Sequence, residues 1–384
     1  MTTDVLVAGG GIGGLSAAYA LATAGHEVRL LERSAEFGEV GAGLQLAPNA
    51  TRILREWGLL DEVTQAGVLP RRLVLADAVS GDELVHADLT GGFQERYHAP
   101  YIVVHRSDLH RILVDACRRA GVRLETGRTV ERVDSTEDTA FTYCADGTVF
   151  ESRIAVAADG LTSKLRRAVA DDEPICSGYV AYRGAIPLAD MPTEVSLDDV
   201  IAWIGPRCHL VQYGLRRGEM VNQVAVFASP GFARGEIEWG GPQELEEAFA
   251  SCSEHVRRSL SSLWRDRRWP MYDRLPVRDW VSGRLVLTGD AAHPMLQYLA
   301  QGACQAIEDA HTLAAEVAKT GDTPDWDTAL AAFNAGRAPR TARVQRTART
   351  WGDIWHIDGV GRLLRNELMT SLSDVYSHTD WLYA

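Results

Sequence analysis

Eight residues near the N-terminus, Val7-Ala8-Gly9-Gly10-Gly11-Ile12-Gly13-Gly14, constrain the fold of this chain more than any others. The apolar run over 5–8 predicts a buried strand, the apolar and alanine positions over 13–24 predict a helix, and 27–31 predicts a second strand. Within that unit Gly9, Gly11 and Gly14 satisfy G-x-G-x-x-G. The first permits a tight turn, the second lets a pyrophosphate reach the backbone, and the third lets helix and strand close on each other. Ile12 and Gly13 complete the turn and are contact candidates with it. Glu32 stands eighteen positions after Gly14 at the end of the second strand, where a carboxylate accepts hydrogen bonds from a ribose diol, with Arg33 beside it. The ligand implied is an adenine dinucleotide, and the motif alone leaves NAD and FAD open.

Later segments bear on that choice. The stretch Gly38-Glu39-Val40-Gly41-Ala42-Gly43-Leu44-Gln45-Leu46 is a glycine-dense loop of the kind that lies against a flat ligand, which makes Ala42, Gly43 and Leu44 cofactor candidates. Asn49 is expected to cap a helix over 50–57. Arg106 opens a second helix running to Arg119, where it can meet a phosphate or the adenosine end of a cofactor, or pair with a carboxylate. A strand-rich segment over 122–156, containing Val130, leads into Asp159-Gly160. Far along the chain a buried strand ends in Gly289-Asp290, and Gln301-Gly302-Ala303 opens a helix through Ala318. Asp290 can bond a ribityl hydroxyl, and that helix N-terminus favours electron density on the pyrimidine edge of a flavin. A nicotinamide unit has no need of so distant a second segment, so FAD is the expected cofactor.

Between these motifs the pattern changes to short alternating strands, at 179–186, 200–204, 208–215 and 221–227. Period-two geometry puts His209, Val211 and Tyr213 on one face of the third of them. Over a ligand, His209 and Tyr213 form a polar wall; otherwise they are a hydrogen-bonded core pair. Residues 244–264 predict one helix. Residues 326–384 are mostly helical, and their apolar positions suit a packing layer or a subunit contact in a homodimer.

The 384 residues suffice for one large or two joined domains, and no apolar run approaches the roughly 18 residues of a membrane helix. A first strand beginning almost at Met1 leaves no room for a leader, so a cytoplasmic protein is expected. A net charge of −13 argues against a nucleic-acid partner. The six cysteines lack C-x-x-C pairs or a nearby His at ligand spacing, and read as small buried side chains with no metal. Arg337, Arg340, Arg343, Arg346 and Arg349 recur every third residue, which winds round a helix and suits solvated or inter-helix ion pairs.

The ordered set of Gly9 to Gly14 with Glu32, then Asp159-Gly160, then Gly289-Asp290 with His293-Pro294, resembles the single-component flavoprotein aromatic hydroxylases, the group A monooxygenases. The implied architecture is α/β: a Rossmann-like FAD-binding domain of the glutathione-reductase type, as in p-hydroxybenzoate hydroxylase, with a β-sheet substrate domain and C-terminal helices. Residues 1–70, 104–170 and 281–325 fall to the FAD-binding domain, 71–103 and 171–280 to the substrate domain, and 326–384 to the helical segment. Within the family, residues 38–45, 204–209, 269–273, 294–299 and 379–382 look like those of the 3-hydroxybenzoate 6-hydroxylases. Salicylate hydroxylases usually place a proline where this chain has Gln297, and some hydroxypyridine-specific relatives use a histidine where Gln45 stands.

The resemblance implies Glu32, Arg106, Asp159 and Asp290 as FAD contacts, His209 and Gln297 beside the substrate, and Tyr213 as a further pocket residue. It implies tightly bound FAD, NADH as a transient electron donor, dioxygen, and a small aromatic acid: 3-hydroxybenzoate, hydroxylated para to its hydroxyl to give 2,5-dihydroxybenzoate. His209 can take the phenolic proton, Gln297 can orient the hydroxyl or the incoming oxygen, and Val211, Met295, Leu296 and Leu299 can exclude water. Decarboxylative hydroxylation of salicylate is the rival within flavin chemistry. A flavoprotein signalling its redox state to a protein partner is the rival outside it.

Overall fold

The computed structural model describes residues 3–38 and 42–384. The N-terminal unit forms as its apolar spacing predicts: β1 (Thr3–Ala8), α1 (Ile12–Thr23) and β2 (Val28–Leu31). Next come β3 (Gly43–Leu46), α2 (Pro48–Glu56), α3 (Leu60–Ala66), β4 (Arg72–Asp77), β5 (Glu83–Asp88), α4 (Gly92–Tyr97), β6 (Ile102–His105) and α5 (Arg106–Arg119). Strands β7 (Arg123–Glu125), β8 (Val130–Ser135), β9 (Ala140–Cys144) and β10 (Val149–Ala157) follow, with Asp146-Gly147 in the β9–β10 turn at φ +84 for the glycine.

The second half opens with β11 (Ile175–Pro187), β12 (Asp199–Gly205), β13 (Cys208–Leu215) and β14 (Met220–Ala228), then α6 (Pro230–Ala233), α7 (Pro242–Ala248), α8 (Glu254–Ser259) and β15 (Trp269–Asp273). It closes with β16 (Val281–Ser282), β17 (Leu285–Leu287), α9 (Gly302–Lys319), α10 (Trp326–Trp355), α11 (Gly359–Thr370) and α12 (Asp380–Tyr383).

Two large sheets organise the molecule. In the first, ordered β16-β17-β10-β1-β2-β7, the strands from β17 to β7 run parallel and bury near-continuous apolar runs between helices, with α1 packed against α5 and α9. Its register explains how three distant motifs meet. Ala8 is opposite Ala157, and Ala157 is opposite Leu287, so the chain leaves β1, β10 and β17 side by side at one edge. Ligand crevices of open parallel sheets lie at that edge.

The second sheet, ordered β15-β11-β14-β13-β12-β4-β5, is antiparallel apart from the β12–β4 pair. Alternation divides its faces: Tyr182, Trp203, Leu210 and Phe227 pack under α7 and α8, with Leu245, Phe249 and Val256. The other face turns toward the first sheet.

Three local expectations are corrected. Asn49 does not cap α2; Ala47 holds that position without a side-chain bond, and the Asn49 amide donates to Gln301 Oε1 at 3.0 Å and to Glu308 Oε1 at 2.5 Å. Residues 244–264 are not one helix. The backbone N–H of Ser253 donates to Ala78 O, in the turn just after β4, at 2.8 Å, and that bond holds the chain between α7 and α8. Of the glycine-dense loop, 43–46 is a strand, because β6 supplies an antiparallel partner; 39–41 lie outside the described residues. The arginine series pairs between elements, Arg337 with Asp309 and Glu308, Arg340 with Glu308, and Arg349 with Asp273.

Candidate active site

At the edge where β1 ends, Gly9 takes φ +116, and a Cβ there would stand 2.3 Å from Ala158 O. A Cβ on Gly14 would stand 1.9 Å from Gly9 O. Only glycine fits either place, and helix and strand close because of it. The first turn of α1 carries no side-chain cap, and neither does that of α9, whose Gly302 and Ala303 face the same space. Two helix N-termini therefore offer unsatisfied N–H groups to one cavity.

Glu32 Oε2 accepts from Gly10 N at 2.7 Å and Oε1 from Ser34 N at 2.8 Å. Burial pushes its carboxyl up, but the bonds from Ser34 and Gly10 outweigh that and hold it below the ordinary range, so it is ionised with lone pairs to spare. Arg33 is exposed next to it. Backbone bonds from Gly127 to Ser34 and Arg128 to Glu32 bring the start of β8, with Val130, alongside.

The cavity, about 470 Å³, runs from this edge to the second sheet. Gly11, Ile12, Gly13, Ala42, Gly43, Leu44, Arg106, Asp290, Gly302 and Ala303 line it, and so do His209, Tyr213 and Gln297. Gly9 and Gly14 shape it from behind. Asp159 turns away: its carboxylate accepts from Ser163 Oγ at 2.6 Å and from Lys164 N at 3.0 Å, while Ala158 and Gly160 form the wall. Burial raises the Asp159 pKa. Below the Gly289-Asp290 turn, Asp309 accepts from Gly289 N at 2.9 Å and from His293 Nε2 at 2.6 Å, and Arg337 binds its other oxygen at 2.7 Å, which fixes the turn from inside.

Strand register builds the floor. Leu75, Ala202, Val211, Val224 and Arg183 stand opposite one another across β4, β12, β13, β14 and β11, and all five line the cavity. One row to one side lies Tyr213, beside Asn222, whose Oδ1 accepts from Gly43 N at 2.7 Å. A Cβ on Gly43 would stand 2.5 Å from the Tyr213 ring, so glycine there lets β3 touch the sheet. One row to the other side lies His209, 1% exposed, under Tyr298 of the Gln297–Leu299 turn. Burial and the neighbouring His356 push its pKa well below the usual imidazole value, so it is neutral.

Three wall elements and one residue behind the wall were not singled out from sequence as site residues. Arg183 lines it and His356 backs His209, neither with a local signature, Tyr101 donates to Gln45 Oε1 at 2.6 Å, and α12 folds back so that Leu382 and Tyr383 line one end of the cavity. Within the C-terminal segment, Tyr383 lies against Tyr97 and Tyr101, and Trp355 against Tyr298, of the same chain.

A glycine cradle, two uncapped helix ends and an ionised acid at a strand end fit an elongated dinucleotide, and the second-sheet floor leaves room for a ring. The model of the FAD binding domain family matches residues 2–348. This chain belongs to the FAD-binding aromatic hydroxylases. The hydroxylase is 40% identical to 3-hydroxybenzoate 6-hydroxylase 1 of Aquipseudomonas alcaligenes, over 100% of this chain and 98% of that one. It is 37% identical to 3-amino-4-hydroxybenzoate 2-monooxygenase of Streptomyces cremeus, over 99% and 94%. Among solved structures, Klebsiella pneumoniae HpxO complexed with FAD and uric acid superposes with a TM-score of 0.84 at 26% identity, covering 96% of the hydroxylase and 93% of that chain. A salicylate hydroxylase substrate complex, at 24% identity and a TM-score of 0.82 over 100% and 95%, shares the fold. No helix among the described residues is long and apolar enough to cross a membrane.

Proposed function

We infer that the hydroxylase uses NADH and dioxygen to hydroxylate a phenolic acid, 3-hydroxybenzoate para to its hydroxyl, giving 2,5-dihydroxybenzoate. The observation that carries the acid is Arg183. Its Nε has no hydrogen-bond partner, no carboxylate among the described residues pairs with it, and its guanidinium lies 5.5 Å from the Trp269 ring centroid on the cavity wall. Burial, then Arg106, lower its pKa, the signature of a cation short of an anion. His209 and Arg183 stand two strands and two residues apart, about 12 Å between Cα atoms, and both line the cavity. A phenol at His209 and a carboxylate at Arg183 complement the two ends. The full-length likeness to 3-hydroxybenzoate 6-hydroxylases supports that substrate within the class.

Residues 1–70, 104–170 and 281–325 hold the cofactor in this reading, with Glu32, Arg33, Val130 and Arg106 toward its adenosine and phosphate parts, Asp290 at its ribityl chain, and Gly302 and Ala303 at its pyrimidine edge. Bound FAD supplies the redox chemistry that activates dioxygen. Residues 71–103 and 171–280 supply the rest. Neutral His209 takes the phenolic proton at Nε2, and the phenolate is electron-rich at its ortho and para carbons. Gln297 orients the hydroxyl, Tyr213 packs the β3 backbone against the pocket, and Val211, Met295 and Leu299 keep water out.

The test is NADH oxidation across mono- and dihydroxybenzoates with the FAD-loaded protein, products identified by mass and NMR. Stimulation by 3-hydroxybenzoate with formation of 2,5-dihydroxybenzoate supports the reading. Carbon dioxide released in step with NADH from salicylate transfers it to the decarboxylating rival, and no stimulation by any phenolic acid overturns it.

A further inference from the structure

His209 does not end in the cavity wall. Its Nδ1 lies 2.8 Å from Nε2 of His356, the residue at which α10 stops, and the two rings stack at 5.0 Å and 19°. Tyr179 also stacks on His356 at 4.5 Å, and Tyr298 and Trp355 make T-shaped contacts with His209. Both imidazoles are buried, His209 at 1% exposure and His356 at 5%, and the chain beyond His356 emerges at exposed Ile357 and Asp358. His209 thus lines the cavity, and His356 behind it keeps 5% exposure next to an exposed stretch of chain.

Its surroundings lack a counter-charge. No carboxylate among the described residues bonds either ring. The charged groups near His356 are Arg365 of α11, which disfavours its protonation, and Asp353 one turn back on α10, whose charge is felt at Tyr179 and Tyr298; Arg207 of the β12–β13 turn binds the His356 carbonyl through its backbone N–H. The other buried histidines show the contrast, since His293 is tied to Asp309 and His110 to Gly10 O. An imidazolium formed at His209 would be a desolvated charge without a partner, so a proton taken there must move on.

The bond between the rings also fixes which role His209 can play. One N–H lies between Nδ1 of His209 and Nε2 of His356. If His356 donates it, Nε2 of His209 carries a proton and can only donate to a ligand; if His356 accepts it, Nε2 of His209 is a free lone pair.

We propose that His356 is a positioning and relay residue that makes His209 a base and conducts the substrate's phenolic proton out of the pocket. The phenol O–H breaks as Nε2–H of His209 forms; Nδ1–H of His209 breaks as Nε2–H of His356 forms; and His356 releases its own Nδ1 proton to water. Both rings end neutral in the opposite tautomer, one phenolate and one solvated proton richer. This rests on the phenolic-acid reading above.

The test compares FAD-loaded wild type with His356→Gln, whose amide holds His209 Nδ1 but cannot pass a proton, and with His209→Gln and the double variant. The probes are 3-hydroxybenzoate, followed by phenolate absorption of the bound ligand against pH, and the pH profile of kcat. In His356→Gln the expected outcome is unchanged FAD content, KM within about threefold, kcat near pH 7 lower by about tenfold or more, partial recovery as pH rises, and the bound phenol ionising at higher pH. The double variant should be no slower than His209→Gln. Wild-type phenol titration and kcat profile in His356→Gln, or multiplicative losses in the double variant, overturn the relay. Imidazole ¹⁵N shifts of the ligand-free wild type give an independent readout: His209 must carry its proton on Nδ1 and His356 its proton on Nδ1. If no phenolic acid stimulates the wild type, the functional reading fails, while a His209 proton resting on Nε2 in the ligand-free wild type defeats the relay by itself.

Discussion

The two ends of the cavity are made of different material. Where β1, β10 and β17 finish, the wall is backbone: glycines at positions no Cβ can occupy and two helix ends with free N–H groups. Across from it, the floor is side chain, a row from five strands of the second sheet with His209 and Tyr213 flanking it. Backbone geometry recognises what every nucleotide cofactor shares, whereas side chains decide which ring is admitted and where its proton goes. Damage at the first end should cost the cofactor and the fold; damage at the second should cost chemistry and selectivity alone.

The most severe test of that division is Gly14→Ala. With its Cβ placed 1.9 Å from Gly9 O, it should cost about 3 kcal/mol or more of stability and yield protein without FAD, read by flavin absorbance and thermal melting. A yellow, stable Gly14→Ala would dissolve the comparison. His209→Ala belongs to the opposite class: FAD content stays at the wild-type level while kcat for the phenolic acid falls by about 10²–10⁴. Loss of flavin in this variant would mean that the floor also builds the cradle.

Arg183→Gln sharpens the comparison within the floor. KM for the acid should rise about 10- to 100-fold, that is about 1.4–2.8 kcal/mol of lost charge-assisted binding, while KM for a phenol without a carboxylate stays put. Equal changes for both ligands would remove Arg183 as the anchor. The smallest effect concerns pH. Burial, then Arg365, lower the His356 pKa to about 3, so the unfolded chain takes up a proton near pH 6.5 that the folded one refuses. This contribution to stability is complete above about pH 6.5 and falls with pH by up to about 1.4 kcal/mol per unit, until about pH 3. Denaturant melts between pH 7 and 5 should therefore show a shallower decline in His356→Gln than in wild type; parallel declines would show that the His356 site charges freely.

Those contrasts also separate what is legible in the sequence from what is not. The glycine turn, Glu32, and the strand ends at Gly289-Asp290 were legible because each acts within a few residues, where spacing is geometry. Placing His209 and Tyr213 on one face needed only strand alternation. Asn49 was misread because its amide binds Gln301 and Glu308 some 250 positions away, and a distant partner outweighs a local cap. The helix over 244–264 breaks before Ser253 for a similar reason, a backbone bond to Ala78 in the turn after β4.

By itself the sequence determined the dinucleotide fold, the flavin and the histidine face, since periodicity, glycine stereochemistry and motif order are written along the chain. Only the tertiary structure decided that Arg183 closes a row of apolar side chains without an anion of its own, that α12 seals the cavity, and that His209 shares a proton with His356. Strand register and helix docking set those meetings, and both are properties of the whole core, with no trace in any one segment.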